Sequence, residues 1–134
     1  MKRFLVVGLG QFGSELARVL YEKGADVIAI DTDMDVVERM KNSVTSAVCI
    51  DVTNEESLRA LNLENVNAAI VAIGEDRESS ILATATLKEM GIETIIARRA
   101  GDLQGNILEK VGATRVLSPE INHTDKIARN PIPP

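Results

Sequence analysis

The stretch Phe4-Leu5-Val6-Val7-Gly8-Leu9-Gly10-Gln11-Phe12-Gly13 decides how the rest of the chain is read. Its apolar run is too short for a helix and ends in three glycines spaced GxGxxG. Phe12, Leu16, Ala17, Val19 and Leu20 follow at helical spacing, so the glycines join a strand to a helix. Each glycine has its own role in such a turn. Gly8 turns the chain sharply, Gly10 lets a pyrophosphate approach bare backbone, and Gly13 lets the helix pack closely on the strand. The unpaired N–H groups of the first helical turn and the helix dipole then attract phosphate. Gly8, Leu9, Gly10, Gln11, Phe12 and Gly13 are therefore candidate ligand contacts.

The next apolar run, Val27-Ile28-Ala29-Ile30, ends in Asp31, eighteen residues past Gly13. That is close to the ~20 at which an acidic residue meets ribose hydroxyls. The alternative for Asp31 is a helix N-cap, because Asp33 and a helical stretch follow. A carboxylate there also repels a 2′-phosphate, which favours NAD over NADP.

Composition narrows the classes. The 134 residues fit one domain, with enough chain to bury a single core. Aromatics make up only 2%, so that core is aliphatic. The net charge of −5, without a basic stripe, argues against nucleic acid and anionic membrane as partners. Cys49 is the only cysteine, which excludes a disulfide within the chain. It lies in an apolar run and is expected to be buried. His123 is the only histidine and is expected at the surface, with no metal site around it. No apolar run approaches the ~20 residues of a membrane span, and a strand begins without a signal peptide. The expected location is cytoplasmic.

Alternation continues along the chain. Lys23-Gly24 stops the first helix. Asp26 to Ile30 is a strand, and Met34 to Lys41 a helix with Met34, Val37 and Met40 toward the core. Ala47 to Ile50 is the third strand, after which Thr53 is expected to cap a helix, with Glu56 completing a capping box. Ala68 to Ile73 is a strand apolar on both faces, as in parallel sheets covered on both sides. Glu75 to Met90 is the longest helix. Thr94 to Arg98 is the fifth strand, Leu103 to Val111 a helix and Arg115 to Leu117 the sixth strand. Pro119 closes it, and a last helix from Ile121 to Arg129 is stopped by Pro131. The predicted fold is α/β: a Rossmann-like, doubly wound, six-stranded parallel sheet of order 3-2-1-4-5-6, with helices on both faces.

Ligands of such sheets lie outside the carboxyl ends of the strands, where the order reverses. The candidates there are Gly8 to Gly13; Asp31, Thr32 and Asp33; Asp51 and Val52; Ile73, Gly74 and Glu75; and Arg98, Arg99 and Ala100. Asp51 and Val52 are placed to flank an adenine, with capping of the following loop as the alternative for Asp51. Arg98 and Arg99 are placed to neutralise phosphates, or else are solvated charges. No nucleophile–base pair is visible, so no catalytic residue is assigned.

Val6 to Gly13, Ile30-Asp31-Thr32-Asp33, Ile70-Val71-Ala72-Ile73-Gly74, Leu108-Glu109-Lys110-Val111-Gly112-Ala113 and Ser118-Pro119-Glu120 together resemble the regulatory subunits of Trk/Ktr potassium uptake systems. The match is to their N-terminal nucleotide-binding domain, called KTN, TrkA-N or RCK (regulator of potassium conductance), and covers nearly the whole chain. The resemblance implies a single domain over residues 1–134 without the usual smaller C-terminal domain. It implies a non-enzymatic, homo-oligomeric ring, a dimer or an octamer. The ring would lie on the cytoplasmic face of an integral-membrane potassium-translocating subunit. NAD(H) or ATP/ADP would gate that subunit through it. It carries ligand contacts onto Gln11, Asp31 to Asp33, Asp51, Val52, Ile73 to Glu75, Arg98 to Ala100, Gln104 and Glu120. Ktr-type members commonly have arginine where Gln11 stands, for the terminal phosphate of ATP. Glutamine there goes with NAD(H), which is slightly favoured over ATP/ADP or AMP. Ser80, Ala83, Thr84 and Leu87 form a small-residue flank on the long helix, for contact across subunits or packing on its own sheet. The competing readings are an NAD-dependent oxidoreductase cofactor domain and a methyltransferase.

Overall fold

The computed structural model describes residues 2–118. Pro119, Glu120, the helix expected over Ile121 to Arg129, His123 and Pro131 lie outside the described residues. Eleven elements alternate among the described residues: β1 Arg3–Val7, α1 Gln11–Glu22, β2 Asp26–Asp31, α2 Met34–Met40, β3 Ser46–Cys49, α3 Glu55–Ala60, β4 Ala68–Val71, α4 Arg77–Glu89, β5 Ile95–Arg98, α5 Asp102–Val111 and β6 Arg115–Leu117. The six strands form one sheet of order β3-β2-β1-β4-β5-β6. Every pairing is parallel, with Phe4 beside Val27 on one edge of β1 and beside Ala68 on the other. The order reverses at β1, which pairs with both β2 and β4.

Strand alternation divides the core into two layers. Phe4, Val6, Val27, Ala29, Ile70 and Ile96 face one side, packed against Leu16, Ala17 and Leu20 of α1 and Met40 of α2. Leu5, Val7, Ile30, Val71, Ile95 and Ala97 face the other, against Leu58 of α3, Ala83 and Leu87 of α4 and Leu108 of α5. All four β4 residues are buried, as a strand covered on both faces requires.

Several boundaries and placements differ from expectation. β4 ends at Val71, two residues before its apolar run does; Ala72 still donates to the Val7 carbonyl and stays buried in the core, and Ile73 beyond it lines the cleft described below. β3 runs Ser46–Cys49, one residue earlier than expected. α4 starts at Arg77, after Asp76 caps it by accepting from the Ser79 amide. α3 is capped by Asn54, whose Oδ1 accepts from the Ser57 amide at 3.0 Å, and not by Thr53. The Thr53 hydroxyl is instead turned back to Asp51. Met34 is 53% exposed, since it opens α2 on the solvent side and leaves the apolar face to Val37 and Met40. Ser80, Ala83, Thr84 and Leu87 are all fully buried within their own domain. That flank packs on its own sheet and is not open to another subunit.

Candidate functional site

The glycine turn does what its spacing requires. Gly8 has φ +96°, in the left-handed region that favours glycine. A Cβ on Gly13 would stand 1.9 Å from the Gly8 carbonyl oxygen and 3.1 Å from the Ala72 Cβ. So Gly13 is required by packing between α1 and the sheet. Gly10 is different: a Cβ there would meet nothing within 4 Å, and its φ of −67° suits any residue. Nothing in the described fold requires glycine at position 10, yet the bare backbone there opens onto a cleft.

Gly10 is also the N-cap of α1, and no side chain caps that helix. At α2, α3 and α4, by contrast, Asp33, Asn54 and Asp76 each accept from a first-turn amide. The α1 mouth thus retains unsatisfied N–H groups and the positive end of a twelve-residue helix.

Asp31 closes the turn from the other side. Its Oδ2 accepts from the Leu9 amide at 2.7 Å and its Oδ1 from the Asp33 amide at 2.9 Å. One carboxylate therefore joins the glycine turn to the β2–α2 turn. The cap of α2 is Asp33, not Asp31. A carboxylate has about four acceptor positions, so Asp31 retains capacity toward the cleft.

The cleft, about 1120 Å³, lies at the carboxyl ends of the strands, where their order reverses. It brings together eleven of the predicted residues: Gly8, Leu9, Gly10, Asp31, Thr32, Asp51, Val52, Ile73, Gly74, Glu75 and Arg98. Gln11, Phe12, Gly13 and Asp33 are not among its lining residues, although each adjoins one that is or begins the helix that follows. Arg99, Ala100 and Gln104 lie apart, on the α5 side. Glu120 is outside the described residues.

Strand parity separates the two arginines. Ile96 and Arg98 point to the α1 face of β5, and Arg98 sits with its guanidinium carbon 5.9 Å from the centroid of the Phe12 ring. Arg99 points the opposite way. Its Nε donates to the Ser118 hydroxyl at 2.8 Å, and its Nη1 pairs with Asp102 at 3.1 Å. Gln104 is buried and accepts from the Ala100 amide, so it supports the loop.

Asp51 is engaged locally. It accepts from the Thr53 hydroxyl at 2.7 Å and the Thr53 amide at 2.9 Å. The hydroxyl first, and the amide second, hold its carboxyl below the ordinary carboxylate range. Asp76 is held down in the same way by the hydroxyl and amide of Ser79. With Asp31 and Glu75, they make the cleft rim rich in carboxylates, with Arg98 as its cation among the described lining residues.

Cys49, Ile50, Thr53, Ala72, Asp76 and Ser79 also line the cleft without having been predicted there. Cys49 is half-buried, not buried, and its thiol donates to the Thr32 carbonyl at 3.4 Å. Asp76 and Ser79 carried a signal, an acidic residue with a hydroxyl three positions on ahead of a helix. The glycine at 74 had drawn the expected helix start two residues too early.

A family model described as the TrkA-N domain matches residues 4–119. The chain belongs to the TrkA-N domain family. Among relatives of this TrkA-N domain is the Ktr system potassium uptake protein C of Bacillus subtilis, 40% identical over 129 residues. That match covers 96% of this chain and 58% of the relative, so the domain spans less than two thirds of the protein it matches. Two solved structures share the fold with a TM-score of 0.79. One is the NAD(P)-binding domain of an exopolyphosphatase-related protein from Archaeoglobus fulgidus, at 26% identity, with 96% of this chain and 93% of that one covered. The other is the TrkA-N domain of an inner membrane protein from Escherichia coli, at 25% identity, with 96% and 92% covered. No helix among the described residues of this TrkA-N domain is long and apolar enough to cross a membrane.

Proposed function

We propose that this TrkA-N domain binds an adenine nucleotide, NAD(H) ahead of ATP/ADP or AMP, as the sensing part of a regulatory subunit of potassium uptake. The observation that carries the reading is the α1 mouth. It is uncapped, open at Gly10 and faced by Asp31, in a family whose structural relative is named for NAD(P) binding. Amides of Gln11, Phe12 and Gly13 hold the phosphates, Asp31 the ribose diol, and Asp51 with Val52 the adenine. Ile73, Gly74, Glu75 and Arg98 form the far wall. Arg99, Ala100 and Gln104 brace that wall from behind rather than touch the ligand. The domain is not itself an enzyme in this reading.

The relatives' potassium uptake names support the wider role. In that role the domain is the N-terminal part of a homo-oligomeric ring on the cytoplasmic face of a membrane subunit. The nucleotide acts by binding two arrangements of the ring with different affinity, which shifts their populations.

Calorimetric titration with NAD, NADH, ATP, ADP and AMP tests the ligand. Saturable binding of at least one is the expected result, and heat from none of them overturns the reading. Turnover of NADH with a panel of carbonyl compounds would place the chain among oxidoreductases instead.

A further inference from the structure

Gly74 poses a separate question. Its backbone is not in the left-handed region, so conformation does not call for glycine there. Space does. A Cβ on residue 74 would stand 2.7 Å from Arg98 Nη1, 3.3 Å from its Cζ and 3.6 Å from its Nη2. All three nearest atoms belong to one guanidinium, whose Nη1 end occupies the space that a side chain at residue 74 would need. The Phe12 ring, in the first turn of α1, takes the same guanidinium at 5.9 Å, a distance at which an aromatic face attracts a cation. Three separate elements thus meet on one side chain: the α1 mouth, the β4–α4 connection and the end of β5. Among the described residues Arg3, Arg18, Arg59 and Arg99 sit in ion pairs with carboxylates, whereas Arg98 is held by a ring and a bare peptide.

We infer that Gly74 and Phe12 are positioning residues for Arg98: they form a slot that holds its guanidinium beside the α1 mouth, where it selects ligands carrying phosphate over the neutral nucleoside. The inference rests on the nucleotide reading above. The slot leaves the planar donors of Arg98 fixed before the ligand arrives, so little side-chain freedom is lost on binding. A methyl group at position 74 meets only the far end of a flexible side chain, which swings away at small cost to the fold.

The test compares ADP with adenosine, which shares the base and sugar and lacks the phosphates. Arg98→Ala is expected to weaken ADP about tenfold, the size of a lost charge-assisted hydrogen bond, and to leave adenosine within about twofold. Gly74→Ala and Phe12→Leu are each expected to reproduce part of the ADP loss. In an Arg98→Ala background, Gly74→Ala is then expected to add nothing, since the two changes act on one contact. Equal losses for ADP and adenosine, or the same Gly74→Ala loss in both backgrounds, would overturn the slot while leaving nucleotide binding intact. A wild-type domain that binds neither ADP nor NAD overturns the nucleotide reading, and this one with it.

Discussion

At the residue scale, the two glycines of the turn separate structure from ligand. Gly13→Ala drives a methyl group to 1.9 Å from a carbonyl oxygen, an overpacking that costs about 3 kcal/mol or more. Gly10→Ala meets open space and costs under about 1 kcal/mol, the difference between glycine and alanine at an N-cap. Denaturant unfolding is expected to rank them in that order, with Gly10→Ala stable but weakened toward nucleotide. Asp31→Ala is expected to weaken adenine nucleotides about tenfold or more, given roughly 1.5–3 kcal/mol for charge-assisted hydrogen bonds; unchanged affinity by calorimetry would remove Asp31 from the site. The roles of Gly8 and Gly13 were legible because each follows from spacing alone. The fates of Arg98 and Arg99 were also within reach. Arg98 is the last residue of β5 and Arg99 follows it, and in extended chain neighbours point to opposite faces, so the two are not expected to reach one ligand together. Treating strand ends as an undivided set lost that distinction.

At the element scale, caps decided the errors. Thr53 and Asn54 both suit the position, and sequence spacing favoured Thr53 through Glu56. The structure gives Asn54 the cap because Asp51 takes the threonine hydroxyl for its own turn. Asn54→Ala is expected to lower stability by about 1 kcal/mol, and Thr53→Val to lower it less, by chemical unfolding. The two acidic turns predict a pH response. Asp51 and Asp76 are held below the ordinary carboxylate value by hydrogen bonds present only in the fold. Their contribution is complete above the unfolded carboxylate pKa, near 4. It is lost as pH falls through the lowered folded value. Stability should therefore be flat near neutrality and decline below about pH 4. Asp76→Asn keeps an acceptor for the cap without the titration, and is expected to make that acid decline shallower.

At the scale of the molecule, strand order was the most legible property. Alternating short apolar runs and amphipathic helices admit few parallel arrangements once crossovers are right-handed. The glycine turn after β1 then marks where the order reverses. The walls of the cleft were less legible, because they depend on where chain leaves the sheet rather than on where apolar runs stop. Ile73 shows this: apolar and inside the expected strand, it lies past the end of β4 and lines the cleft. A nucleotide that binds only the native state stabilises it by about 2.7 kcal/mol at one hundred times its Kd. For a domain of this size that raises Tm by roughly 10 °C. Thermal melts with the nucleotide series are expected to show a rise of that order for the preferred nucleotide and smaller rises for the weaker binders; no rise with any of them would count against the reading.

The carboxylates around the cleft rim bear on how fast a ligand arrives. Asp31, Asp51, Glu75 and Asp76 stand at the entrance of a chain with net charge −5, and every proposed nucleotide is itself an anion. The approach is therefore uphill until the α1 mouth and Arg98 take over at short range. Dissolved salt shortens the reach of that repulsion to about 8 Å at physiological ionic strength. Association measured by stopped flow should accordingly speed up as potassium chloride is added from low concentration. The saltiness of its surroundings would then set how promptly the proposed nucleotide enters this cleft.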